Sequence, residues 1–284
     1  MPSDQEKFLQ WLYRQTFSDS SVDFKEVVHD AALNALEKDS AAAGAIATKL
    51  SKRYWNAAKK RADNDVLHGR HPVFSFLDDD SLIAKWHPAT LSSQGQHVAA
   101  QALRARPAIL NVIDELSDRE YEAMACVTIS LAGANEFHLT PQGNEGGIDF
   151  FAILECETRT HLFGYTPRAL RIVGQCKKYE YRDSVTRFNS FLKALENVRH
   201  IHKTVQHHIP NWFRRGYGPL IGWYIAHNGL QSGAMDAAKD HGVIISDSVD
   251  IAQSVTETNR LGDGHNVSNV ISELRQRIEH VLVD

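Results

Sequence analysis

Two short segments near the middle of the chain carry polar residues where buried strands are expected: Gly146-Gly147-Ile148-Asp149 and Val173-Gly174-Gln175-Cys176-Lys177. An ionised Asp or Lys in such an apolar run is costly unless it is paired or holds a metal. One acid and one base of this kind suggest a metal-assisted hydrolytic site. Side chains alternate faces along a strand, so Val173, Gln175 and Lys177 share one face. Asp149 is expected opposite Ile148 and Phe150. If the segments pair through a loop at 155–170, Asp149 faces Gln175 and Lys177. The Asp149 carboxylate, the Gln175 amide oxygen and the backbone carbonyl of Cys176 then make an oxygen-rich pocket suited to Mg²⁺, which keeps several waters. Lys177 would orient or deprotonate the attacking water and offset phosphate charge. Glu122, on the preceding helix, would reach the same pocket as a ligand or as a group positioning water. Plainer accounts stand beside this one: Asp149 as a turn or N-cap residue after the glycines, and Lys177 as the exposed end of a strand that runs into Lys178 and Tyr179.

These residues need elements to position them. Ser117-Asp118-Arg119-Glu120 reads as a capping box that opens a helix, with Tyr121, Met124, Ala125, Thr128 and Leu131 at core spacing and Gly133 as its stop. Strands are expected at 137–140, 148–154, 171–176, 219–226 and 243–246. Helices are expected at 183–205, 232–241, 249–255 and 267–282. This alternation predicts an α/β fold: a central mixed sheet flanked by helices. The first hundred residues read as mostly helical, with Asp23 and Glu26 opening a helix to about Lys38 and a second helix over 41–62. That second helix carries Lys49, Lys52, Arg53, Lys59, Lys60 and Arg61, either as a solvated face or as a nucleic-acid contact. A short strand is expected within 68–77, ahead of the acidic run Asp78-Asp79-Asp80, and 92–101 reads as a linker. The expected domains are 1–105, a helical recognition or partner-binding region, and 106–284.

Composition sets outer limits. The chain has 284 residues, 43% hydrophobic and 23% charged, with a formal net charge of -4. These are ordinary values for a globular protein. Three cysteines with no CxxC spacing argue against a disulfide framework or a zinc finger and fit a reducing cytoplasm. No apolar run reaches membrane-spanning length, and the polar opening Met1-Pro2-Ser3-Asp4 is not signal-like, so a cytoplasmic protein with no membrane partner is expected. His200, His202, His207 and His208 lack HxxxH spacing, which disfavours zinc. His227-Asn228 follows an expected strand and either faces the cleft or forms a strand-end turn. Walker-type and Gly-x-Ser-x-Gly motifs are absent, which disfavours ATP hydrolysis and an α/β-hydrolase.

Charge is uneven. Between 168 and 215 stand Arg168, Arg171, Lys177, Lys178, Arg182, Arg187, Lys193, Arg199, Lys203, Arg214 and Arg215 against Glu180, Asp183 and Glu196. Gathered around the expected site, they would form the footprint of phosphate-backbone binding. Tyr179, Tyr181, Trp212 and Tyr217 interleave with them and offer stacking surfaces, although core packing is the simpler account of Trp212.

The ordered set of motifs resembles the Mrr-like restriction endonuclease domain of the PD-(D/E)xK nuclease superfamily. It comprises Tyr121-Glu122 with Gly133, Gly146-Gly147-Ile148-Asp149, Gln175-Cys176-Lys177-Lys178-Tyr179, and Ala226-His227-Asn228-Gly229 through Ala234, Ala237-Ala238 and Gly242-Val243-Ile244. The resemblance covers 116–255. It implies a restriction-endonuclease-like fold and a metal-dependent endonuclease acting on DNA in preference to RNA, in restriction of foreign or modified DNA. The roles it implies fall on Glu122, Asp149, Gln175 and Lys177, with Mg²⁺ held by Asp149, Gln175, the Cys176 carbonyl and Glu122, and Mn²⁺ as a substitute. Expected DNA contacts are Lys178, Tyr179, Arg182 and Arg187. A homodimer and an ATPase or sensor partner in defence are further expectations. The alternative is a nucleic-acid-binding or assembly subunit that stays silent until a partner activates it. Two departures from the family are a long 155–170 loop and Glu145 where a smaller polar residue is usual.

Overall fold

The computed structural model describes residues 2–91, 93, 96–143, 146–155, 169–215, 218–258, 261 and 266–283. Arg168, Glu145, Tyr217 and most of the 155–170 loop lie outside the described residues. The chain divides into two compact units: Met1–Val112 with Asp263–Val267, and Ile113–Gly262 with Ser268–Asp284.

The first unit contains α1 (Asp4–Tyr13), β1 (Ser21–Asp23), α2 (Phe24–Asn34), α3 (Ser40–Leu67), β2 (Phe74–Asp78) and β3 (Ile83–Trp86). It is not purely helical, because β1, β3 and β2 form an antiparallel three-stranded sheet. Rings hold it together: Phe24 meets Trp55 edge-on at 5.1 Å, and Trp55 meets Phe76 at 4.7 Å. Asp78-Asp79-Asp80 forms the start of the β2–β3 turn, and the Asp79 carboxylate accepts from Lys59 Nζ at 2.6 Å and Trp55 Nε1 at 3.0 Å. Part of the basic face of α3 is therefore spent on ion pairs within the unit. Arg61 likewise pairs at 2.9 Å with Asp65, a fully buried acid that also accepts from the Tyr13 hydroxyl. The expected linker over 92–101 gives way to α4 (His97–Glu115), which begins inside it and carries Pro107 in its interior.

The second unit holds α5 (Asp118–Leu131), β4 (Ala134–Leu139), β5 (Phe150–Glu155), β6 (Ala169–Lys177), α6 (Val185–Arg199), α7 (Asn211–Arg215), β7 (Leu220–Ala226), α8 (Ser232–Asp240), β8 (Ile244–Ser246), α9 (Ser248–Glu257) and α10 (Val267–Val283). The sheet order is β4-β5-β6-β7-β8. The first three strands are antiparallel and the last three parallel, which gives a mixed sheet flanked by helices. On one face Phe151, Val173 and Tyr224 pack with Phe188 and Phe191 of α6 and Ala234 of α8. The other face begins at Phe150, whose ring lies edge-on to Trp223 at 5.7 Å. A β-carbon at Gly174 would sit 1.9 Å from the Phe150 ring, so only glycine fits opposite it.

The capping box at Ser117 forms as expected, with Ser117 and Glu120 each bonding the other's backbone. Gly133, at φ 109, ends α5. α6 stops at Arg199, short of the expected 205. His200 caps it, Ile201 turns left-handed at φ 49, and His202 N–H donates to the Asn197 carbonyl at 2.8 Å. Glycine normally fills that position, and a β-branched residue there costs about 1–2 kcal/mol.

Candidate active site

Asp149 sits one residue before β5, where Gly146 and Gly147 turn the chain with φ of 65° and 83°. The register Phe150↔Gly174 places Asp149 beside the last residues of β6. Regular alternation begins only at Phe150: Ile148 packs in the same cluster as Phe151, so Ile148 and Phe150 do not share a face as expected. The irregular turn frees the Asp149 carboxylate from the pleat, and its Oδ2 accepts from the Cys176 N–H at 2.6 Å. Lys177 Nζ lies 3.8 Å from the same oxygen. The Asp149 side chain is 7% exposed and that of Lys177 27%, so the pair is anchored below and reachable from above.

Glu122 approaches from α5. Arg119, one helical turn earlier, donates to Glu122 Oε2 at 2.8 Å and to the Thr140 carbonyl at 2.7 Å. The Thr140 hydroxyl in turn donates to the carbonyls of Ile148, at 2.8 Å, and Asp149, at 2.9 Å. Arg119 and Thr140 therefore tie the helix acid to the strand acid. The sequence reading passed over both residues, although Arg119 stands at i,i+3 from Glu122 and Thr140 closes an expected strand. Burial pushes the Cys176 thiol well above its ordinary value. The Asp149 carboxylate, the Cys126 thiol and Glu122 push it the same way, and Lys177 opposes them.

Gln175 is buried, and its Nε2 donates to the Gly147 carbonyl at 2.7 Å. Its donor end braces the glycine turn and its Oε1 is left as a ligand atom. Along β6, alternate residues turn their backbone groups to opposite neighbours. Lys177 O accepts from His227 N on the β7 side at 2.9 Å, and Gly174 O accepts from Asp149 N on the β5 side at 2.9 Å. Cys176 therefore directs its N–H and its C=O to the β5 side, beyond Phe150. Among the described residues no three His, Cys, Asp or Glu side chains gather as a metal group. The candidate donors are the Asp149 carboxylate, the Cys176 carbonyl and the Gln175 amide oxygen at the end of β6, with the Glu122 carboxylate on α5. These hard oxygens fit Mg²⁺, which takes one or two carboxylates and fills its remaining positions with water.

The expected DNA contacts separate. Lys178 Nζ donates to the carbonyls of Asp114, at 2.7 Å, and Leu116, which end α4, so its charge caps a helix. Tyr179 and Tyr181 stack on each other at 6.1 Å, with the Arg187 guanidinium 4.2 Å from the Tyr179 ring centre. Arg187 also pairs with buried Asp183 at 3.2 Å. Arg182 is exposed. His227 bridges Ser248 Oγ, at 2.7 Å, and Asp114, at 3.4 Å. Ser248 is 2% exposed and also bonds the Tyr121 hydroxyl at 3.2 Å, so this Asp-His-Ser chain is an internal brace, not a nucleophile. The basic surface is not gathered at one place either: Arg171, Arg199 and Arg214 line a cavity at the opposite end of the sheet.

No protein-family model matches the chain, and no curated protein does. Among solved structures it is similar to the MspJI restriction endonuclease in complex with a 27-mer oligonucleotide, at 14% identity and a TM-score of 0.38 over 76% of this chain and 44% of that one. It is also similar to the DNA modification-dependent restriction endonuclease AspBHI, at 12% identity and a TM-score of 0.36 over 76% of this chain and 46% of that one. The chain thus spans less than half the length of either structure. No helix among the described residues is long and apolar enough to cross a membrane.

Proposed function

We propose that this chain is a metal-dependent endonuclease of the Mrr-like, PD-(D/E)xK kind that hydrolyses DNA phosphodiester bonds in restriction of foreign or modified DNA. One observation carries the reading: Lys177 Nζ stands 3.8 Å from an Asp149 carboxylate that is itself fixed by the Cys176 N–H. Asp149, the Cys176 carbonyl, Gln175 Oε1 and Glu122 would hold Mg²⁺, or Mn²⁺ in its place. When bound, the metal would polarise the phosphoryl group and acidify water. The protein's own contribution is positioning. Lys177 directs an ammonium at the attacking water and the phosphate, Arg119 aims Glu122, and Thr140 and Gln175 fix the turn that presents Asp149. Groups held this way act without reorganising in the transition state.

The test is cleavage of supercoiled plasmid with Mg²⁺ and with chelator. Asp149→Ala and Lys177→Ala are expected to lose about a hundredfold or more in rate with circular dichroism unchanged. Full cleavage by both variants overturns the assignment. A second reading, a subunit that is silent until an ATPase or sensor partner engages it, is favoured by the engagement of Lys178 with helix-end carbonyls and of Arg187 with Asp183. No nicking by the purified chain, with cleavage restored on adding a partner, decides for that reading. A homodimer and a cytoplasmic setting belong to the same proposal.

A further inference from the structure

β6 starts near Arg171 and ends at Lys177, six residues later, a span of about 20 Å along an extended strand. At the Arg171 end lies a cavity of about 110 Å³ lined by Arg171, Arg199 and Arg214 together with Phe213, Ile209 and Ile201. The three guanidiniums come from β6, the end of α6 and α7. Each spends one nitrogen on the protein: Arg171 Nε on the Gly218 carbonyl at 3.2 Å, Arg199 on Glu196, and Arg214 on the Gln206 carbonyl. Among the described residues no carboxylate lines the cavity, and Glu196 beside it pairs with Arg199. The Arg171 guanidinium lies 5.7 Å from the centre of the Phe213 ring.

We propose that this cavity binds a phosphate monoester carried on an organic group, the chemistry of a nucleotide's phosphorylated end, at a site separate from the carboxylate site. Forked N–H groups from three directions match the three oxygens of a phosphate monoester. Ile201, half-exposed on the cavity's wall, gives the esterified group an apolar surface that a bare inorganic anion would not use, while buried Phe213 backs Arg171. The cavity is smaller than a pocket for a whole drug-sized ligand, so it takes one phosphorylated end. That end belongs either to a free nucleotide or to the 5′ terminus of a nucleic-acid strand.

The experiment is calorimetric titration of the full chain, without divalent metal, with AMP, adenosine, and one short single strand carrying either a 5′-phosphate or a 5′-hydroxyl. AMP or the phosphorylated strand is expected to bind about tenfold or more tightly than its unphosphorylated counterpart, and Arg199→Ala with Arg214→Ala to weaken it by about tenfold or more. Lys177→Ala is expected to bind as the parent does, which separates this site from the proposed nuclease centre. Binding of AMP but not of the phosphorylated strand assigns the site to free nucleotides, and tighter binding of the strand assigns it to nucleic-acid ends. The single variants Arg199→Gln and Arg214→Lys repeat the test if the double variant loses its circular dichroism spectrum. No heat at millimolar concentrations, equal binding of both members of each pair, or binding unchanged by the arginine variants overturns the proposal.

Discussion

The two ends of β6 treat charge in opposite ways. At the Lys177 end each sign meets the other: Asp149 faces Lys177, and Glu122 faces Arg119. At the Arg171 end three guanidiniums gather, and Glu196, paired with Arg199, is the one acid among their ion-pair partners in the described residues. The difference follows from chain direction. β6 runs from Ala169 to Lys177 and α6 returns from Val185 to Arg199. Arg171 and Arg199 therefore meet although 28 positions separate them, while Arg171 and Lys177, six apart, stand at opposite ends. A basic run in sequence is not a basic patch in space. The balanced end suits chemistry on a bond, and the unbalanced end suits retention of an anion.

The contrast can be broken or sharpened. The largest effect is expected from Lys177→Ala, about a hundredfold or more in plasmid cleavage, set against Arg199→Ala, for which the cleavage rate should stay within about twofold. Equal losses in the two would erase the distinction between the ends. Gly174→Ala drives a methyl group into the Phe150 ring beneath the carboxylate site. It should cost about 1–3 kcal/mol in urea unfolding, as overpacking does, and lower cleavage with it. Lys178→Met removes the cation from the end of α4. A loss of about 1 kcal/mol in stability is expected, with DNA affinity in gel shifts unchanged. A fall in affinity at unchanged stability would return Lys178 to the DNA contacts. The smallest effect, at the other end, is Ile201→Gly, which relieves the left-handed residue and should stabilise the protein by up to about 1 kcal/mol, read as a rise in Tm.

Much of the second unit was legible. The capping box at Ser117, the stop at Gly133 and the paired runs ending in Asp149 and Lys177 each carry a local signal that the tertiary structure keeps. Three features were not legible, for physical reasons. The end of α6 has no glycine, because Ile201 adopts the left-handed turn, so the helix reads too long. α4 begins at His97, inside the polar stretch 92–101 that reads as a linker. Of the first unit's sheet only β2 was expected, as a short strand within 68–77; β1 and β3, of three and four residues, pair across the unit, contacts that no short window of sequence contains. At the candidate site the sequence supplied the acids and the lysine. The order of faces at Ile148 and Phe150, and the brace made by Arg119 and Thr140, depend on how the glycine turn settles.

Lys177 and Lys178 are neighbours with different duties, one facing a carboxylate and the other locked onto the closing carbonyls of α4. A slip of a single position would set either Lys178 or Cys176 where Lys177 stands, and either Tyr179 or Lys177 where Lys178 stands. One direction takes the ammonium from the end of α4 and the other takes it from Asp149. Both push Gly174 out from under Phe150. The doublet and the glycine together therefore penalise misalignment of β6 in either direction.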